Sequence, residues 1–164
     1  MVHAAMLTWS EFERAEPALA EGGRALLYQF GVGLAFLSTV RRDGGPRVHP
    51  MCPILHAGGM FAFIVPSPKH DDLVRDGRYA MHCFPPADNE DAFYLTGIAR
   101  HRDEPALRAQ LADVFASERS RFGSPHPQDE EKLFEFLIDR CLLTRTTGHG
   151  DPAPKHTTWQ APPR

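Results

Sequence analysis

Cysteine is scarce: Cys52, Cys83 and Cys141 stand far apart in a chain of 164 residues. Their number is odd and no Cys-x-x-Cys occurs, so the sequence offers neither a disulfide framework nor a zinc knuckle. Long apolar runs are missing as well, and none approaches the roughly 20 residues of a membrane-spanning helix. Nor does charge of one sign dominate. Eighteen Lys and Arg against 21 Asp and Glu leave a net charge of -3, which gives nucleic acid or an anionic membrane no global field to follow. The N-terminus reaches Glu11 and Glu13 too early for a signal peptide. Nine histidines are present, but they are scattered, with no His-x-x-x-His on a convincing helix, so no metal site is expected. No nucleophile–base constellation and no pair of carboxylates in a plausible pocket stands out. These absences fit a reduced, cytoplasmic protein with no membrane and no nucleic-acid partner.

What is present is a β pattern in a chain of single-domain size, taken here as one domain over residues 1–164. Residues 34–40 read as a strand ending at Arg41-Arg42-Asp43-Gly44-Gly45-Pro46, where Asp-Gly marks a hairpin turn. Residues 47–55 form the next strand. Pro50 and Pro53 cannot donate to a ladder, so this strand needs an edge, a bulge or a ligand beside it. Its partner, residues 60–65, follows a turn at Gly58-Gly59 and is broken by Pro66 and Pro68. Strands over 78–84, 92–101 (with Gly97 as a bulge) and 133–144 (with a kink near Asp139-Arg140) bring the number to six.

Helices are expected at four places. Thr8 followed by Glu11 and Glu13 opens a short one, which Pro17 ends or restarts. A second spans 18–30, interrupted by Gly22-Gly23. A third spans 69–76, with Asp71 and Asp72 placed early to complement the helix dipole and Gly77 closing it. An amphipathic helix spans 105–117, with Asp103 as its cap. Residues 120–127 read as a loop, 129–132 as a turn of helix, and the tail 148–164 as a loop anchored by Trp159. The expected fold is mainly β with a few helices, a six-stranded antiparallel barrel.

Chemistry concentrates between residues 47 and 73. Arg47 opens one strand, and Ser67 and Lys69 follow the next. The reversal at Gly58-Gly59 would bring both cations to one end of a hairpin. Two cations and a hydroxyl beside an apolar wall suit a ligand with a phosphate tail and a flat ring. The competing readings are two solvated cations, and a Ser67 that caps the helix after Pro68. His49 shares the strand and is placed either to contact a ligand or accept a proton, or to lie in an interface.

Arg47-Val48-His49-Pro50-Met51, the Gly58-Gly59 turn, Ser67-Pro68-Lys69 and the helix leading to Asp76-Gly77-Arg78 follow one another with a spacing that resembles the pyridoxamine 5′-phosphate oxidase-like (PNPOx-like) split β-barrels, which bind flavins. The match runs over about residues 34 to 84. The resemblance implies a homodimer with two FMN sites at the subunit interface. It also implies hydride transfer between a reduced nicotinamide and a small organic acceptor. Carried over by position, Arg47 and Lys69 bind the flavin phosphate and Ser67 donates a hydrogen bond to it. Main-chain groups of Val48, His49, Pro50, Met51 and Cys52 line the isoalloxazine ring, and Phe63 and Ile64 lie on the neighbouring strand. Three features depart from the pattern. Ala62-Phe63 is apolar where the family often has a hydroxyl, Pro68 replaces the arginine frequent in Ser-Arg-Lys, and the substrate-binding Arg and His signature of the true oxidases is not apparent. That activity is therefore not assigned. The alternatives are the deazaflavin F420, whose longer tail would draw on Arg41 and Arg42, a non-catalytic flavin- or haem-binding module, and a structural dimer with an empty site. In the flavin readings the cofactor carries the hydride, so little side-chain chemistry is needed.

Overall fold

A computed structural model describes residues 5–123 and 126–163. Residues 1–4, two residues of the expected 120–127 loop (124–125) and residue 164 of the tail lie outside the described residues. The elements in chain order are α1 (Trp9–Ala15), α2 (Pro17–Leu27), β1 (Ala35–Val40), β2 (Pro46–Met51), β3 (Ile54–His56), β4 (Gly59–Ile64), α3 (Pro68–Arg75), β5 (Arg78–Cys83), β6 (Ala92–Arg102), α4 (Pro105–Arg119), β7 (Lys132–Arg145) and β8 (Lys155–Gln160). All neighbouring strands pair antiparallel, in the order β2-β1-β5-β6-β7-β4-β3, with β8 on β7. No helix among the described residues is long and apolar enough to cross a membrane.

The strand count is eight rather than six, for two reasons. The expected strand 47–55 is cut at Cys52-Pro53. Its first part pairs with β1 and its second with β4, at opposite ends of the strand order. Pro53 has no N–H to carry a ladder through the crossing. Gly33 sits under the Pro53 carbonyl so closely that a Cβ there would lie 1.9 Å from the oxygen. The Tyr28 hydroxyl holds the crossing from the other side. It accepts from the Leu55 N–H at 2.9 Å and lies 3.3 Å from both Pro53 O and Glu118 Oε1. Burial pushes this phenol up to about 12. The second extra strand is in the tail. Residues 155–160 pair with Arg140–Arg145 and fix Trp159 opposite Cys141.

Gly97 and Asp139 meet at one irregularity. Thr96 pairs with Arg140 but Gly97 with Ile138, which leaves Asp139 as the extra residue of a bulge in β7. The Thr96 hydroxyl donates to Asp139 Oδ1 at 2.6 Å. At Gly97 a Cβ would lie 1.8 Å from Leu137 O, so only glycine admits this approach. The bend lets the 14-residue β7 pair with β4 through its first residues and with β8 through its last.

The helices also depart from expectation in part. α2 runs uninterrupted through Gly22-Gly23 because those residues are where it touches the sheet: a Cβ on Gly23 would lie 2.4 Å from the Phe93 ring. α1 has the expected capping box. The Thr8 N–H donates to Glu11 Oε2 at 2.7 Å, and the Thr8 hydroxyl accepts from the Glu11 N–H at 3.4 Å. α4 is preceded by Glu104 rather than Asp103 as its N-cap, and Glu104 is occupied by Arg102 at 2.7 Å instead of by the helix backbone. The main core joins Trp9, Phe12 and Leu27 of α1 and α2 to inward residues such as Leu37, Met81, Phe93, Phe134 and Phe136. A smaller core of Ile54, Phe61, Leu111 and Leu133 lies against α4.

Candidate functional site

The charged residues gather where α3 lies against the β1–β2 hairpin. Asp72, 3% exposed, is the hub. Its carboxylate accepts from Thr39 Oγ1 at 3.0 Å, from Arg47 Nε at 2.8 Å and from Arg75 Nη1 at 3.1 Å. Arg75 also donates to the Val40 carbonyl. Burial pushes the Asp72 carboxyl up, but the hydrogen bonds from Arg47, Thr39 and Arg75, with the Arg47 charge, outweigh it and hold the group below the usual carboxylate range. One buried acid thus fixes the hairpin, the helix and the direction of Arg47.

Beside this hub lies a cleft of about 470 Å³ with Arg41, Arg42, Arg47 and Arg75 in its walls, against Asp43, Asp71 and Asp72. Arg41 pairs with Asp43 and Arg75 with Asp72. Arg42 makes no ion pair or side-chain hydrogen bond among the described residues, and Arg47 commits only its Nε. The terminal nitrogens of Arg47 and the whole guanidinium of Arg42 therefore remain for an anion. A guanidinium fork matches phosphate or carboxylate oxygens.

Lys69 does not share this cleft. It lies half-buried, and desolvation lowers the pKa of its ammonium. Arg47 turns to Asp72 and the arginine cleft, whose walls do not include Lys69. The Ser67 hydroxyl donates to the Val65 carbonyl at 2.8 Å and makes no capping bond, although Ser67 is the N-cap residue of α3.

Along β2 the side chains alternate. Val48 and Pro50 are exposed, Arg47 and His49 are half-buried, and Met51 is buried in the core. Cys52 follows in the crossing, partly exposed. β2 ends the strand order, so Pro50 falls on an edge strand, while Pro53 lies in the crossing. The Nε2 of His49 is buried with no hydrogen-bond partner among the described residues. Buried polar atoms of this kind normally find one. Phe63 and Ile64 are both taken up by packing. Ile64 lies in the main core at 1% exposure, and Phe63 lies against α4, with the Phe115 ring 6.0 Å away and the Arg108 guanidinium 5.2 Å from its centroid.

Sequence reasoning missed Thr39, Asp72 and Arg75 as site residues. Asp72 carries a signal, standing three residues before Arg75 on a short helix, but that place equally suits a charge that complements the helix dipole. No group of three or more His, Cys, Asp or Glu among the described residues is arranged to hold a metal.

An antiparallel sheet split at the β2–β3 crossing, with α3 beneath the hairpin, is a split β-barrel of the PNPOx-like class. No family model matches the chain, and no curated protein matches it. Solved structures do. A haem-binding protein from Mycobacterium smegmatis is 18% identical at TM-score 0.58, over 84% of this chain and 57% of that one. A candidate pyridoxamine 5′-phosphate oxidase from Listeria innocua is 11% identical at TM-score 0.58, over 73% and 93%. A NimC/NimA family protein from Clostridium acetobutylicum is 15% identical at TM-score 0.56, over 93% and 95%. At these identities the likeness is one of fold.

Proposed function

We propose that this protein is a flavin-binding oxidoreductase that holds FMN beside β2 and moves a hydride between a reduced nicotinamide and a small organic acceptor. The observation that carries the proposal is the arginine cleft, in which Arg42 and the terminal nitrogens of Arg47 are uncommitted while Asp72 holds Arg47 in place. That arrangement suits the phosphate of FMN. The unpartnered His49 Nε2 suits a polar edge of the ring, and the exposed edge of β2 leaves main-chain groups to frame it. The flavin would supply the hydride chemistry. The chain's part is to bind the tail, orient the ring and keep water from one face. F420 is the alternative favoured by Arg41 and Arg42, which extend the cationic wall along which a longer anionic tail would run. A haem-binding role finds support in the free imidazole nitrogen of His49 and in the haem-binding structural neighbour.

The proposed assembly is a homodimer. Pro50, Phe36, His82, Tyr94 and Leu142 stand in register across five strands on the outward side of the sheet. Val48, at 61% exposure, lies in the adjoining row. A second copy would cover this face.

The test is titration of the purified protein with FMN, F420 and haemin separately, followed by desalting and an absorbance spectrum. Retained flavin absorbance is expected, and Arg42→Ala should weaken FMN binding about tenfold, the loss of one charge-assisted contact. A protein that retains none of the three would sink the ligand-binding readings. Retention of FMN with unchanged affinity in both Arg42→Ala and Arg47→Ala would move the phosphate site elsewhere.

A further inference from the structure

The two long sides of α3 differ. Pro68, Asp71, Asp72 and Arg75 face the arginine cleft, whereas His70 and Val74 face a second cleft of about 320 Å³ against the ends of β6 and β7. This volume lies at the lower end of small-molecule sites. Its floor is apolar and buried: Phe134 at 1% exposure and Ala99 at 5%. Two imidazoles stand over that floor. The His70 ring meets Phe134 edge-on, with centroids 5.9 Å apart and planes at 79°. The His101 ring lies 5.7 Å from Phe134 at 59°, and His101 is the direct cross-strand partner of Phe134. Both rings are thus steeply inclined to the floor.

The polar groups at the rim divide into committed and free. Arg100 is held by the buried Glu135 at 2.8 Å, and His70 Nδ1 lies 3.1 Å from Asp71. Lys132 and His101 make no ion pair or side-chain hydrogen bond among the described residues. Lys132 lies two residues before Phe134 on the same strand, so its stem rises from the same face. Val74, at 63% exposure, is a large apolar side chain left in water at the lip.

From this arrangement we infer a second ligand site, for a small planar organic acid. Its ring would lie against the His70 and His101 rings that cover Phe134, and its carboxylate would meet Lys132. The two imidazoles and the exposed Val74 select a ring over a bare anion, and the free ammonium selects an acid over a neutral ring. The site is built from the opposite side of α3 and does not depend on flavin binding, so its failure and that of the flavin reading are separate results.

Benzoate is the probe, followed by the ring-proton signals of His70 and His101 in NMR spectra of the whole chain. Saturable shifts of both rings are expected. Benzyl alcohol and acetate should each bind at least about tenfold more weakly, since each lacks one half of the recognition. Lys132→Ala, at an exposed position, should weaken benzoate about tenfold, and Val74→Glu, also exposed, should do so independently. Absence of saturable shifts overturns the proposal, as does equal binding of acetate or benzyl alcohol. Unchanged benzoate affinity in both folded variants overturns it too.

Discussion

A carboxylate taken out of water keeps its charge only with partners. Asp72 has Thr39, Arg47 and Arg75, and its pKa lies below the usual range although burial acts the other way. A depressed folded-state pKa contributes stability that is fully present above the unfolded value and is lost as pH falls through the folded one. Asp72→Asn should therefore lower stability at neutral pH. Urea unfolding should show its gap to the natural chain closing as pH falls below about 4. Gly97 gives a second residue-scale prediction. With Leu137 O 1.8 Å from its ideal Cβ, Gly97→Ala must push two strand backbones apart, and a loss of about 3 kcal/mol or more is expected in the same measurement. Gly97 and the Asp139-Arg140 kink were each legible in the sequence as irregularities. That they form one bulge was not, because register is a property of two strands and the sequence shows one at a time. Asp72 was legible as an early helical acid, but its partners lie 33 and 25 residues away in Thr39 and Arg47, and no local pattern announces them.

Elements were legible where periodicity and punctuation agreed. β1, β4, β5 and β6 fall close to their expected spans, since each is an apolar or alternating run closed by a turn or a proline. β2 and β3 look like one strand in the sequence because Pro53 signals a break without saying that the chain changes sheet edge there. β8 was hidden by the surrounding glycine, proline and histidine, and by side chains exposed at all its positions but Trp159. Its worth lies in that one residue. The Trp159 ring sits 5.1 Å from Phe12 and ties the tail to α1 over the core. Trp159→Ala should cost about 2 kcal/mol, below a fully buried tryptophan because this ring is only partly covered. Thermal unfolding would measure the loss. No change would mean that β8 is held by its ladder to β7 alone. α2 shows the opposite error. Gly22-Gly23 has low helix propensity, but propensity is a weak prior, and close contact with Phe93 and Leu143 overrides it.

For the whole molecule, the chain's own core accounts for one face of the sheet and leaves the other incomplete. Inward rows of β1, β5 and β6 are buried at almost every position, whereas the outward row keeps Phe36 at 37% and Tyr94 at 38% exposure, with Phe36 stacked on Phe84 at 4.4 Å. Partly exposed aromatic side chains gathered in one row of an antiparallel sheet suit a protein–protein contact. In the proposed dimer Phe36 and Tyr94 are central. Phe36→Lys should then convert a dimer to a monomer in sedimentation analysis while leaving the monomer's fold intact, since the side chain already contacts water. The same variant discriminates between two ways of building the flavin site. If the ring is framed by both subunits, loss of the dimer should weaken FMN by more than the tenfold expected for Arg42→Ala. If β2, Arg42 and Arg47 suffice, FMN affinity should survive monomerisation. A natural chain that sediments as a monomer would show that the outward face has another purpose, and would confine the cofactor site to the edge of β2 and the arginine cleft beside Asp72.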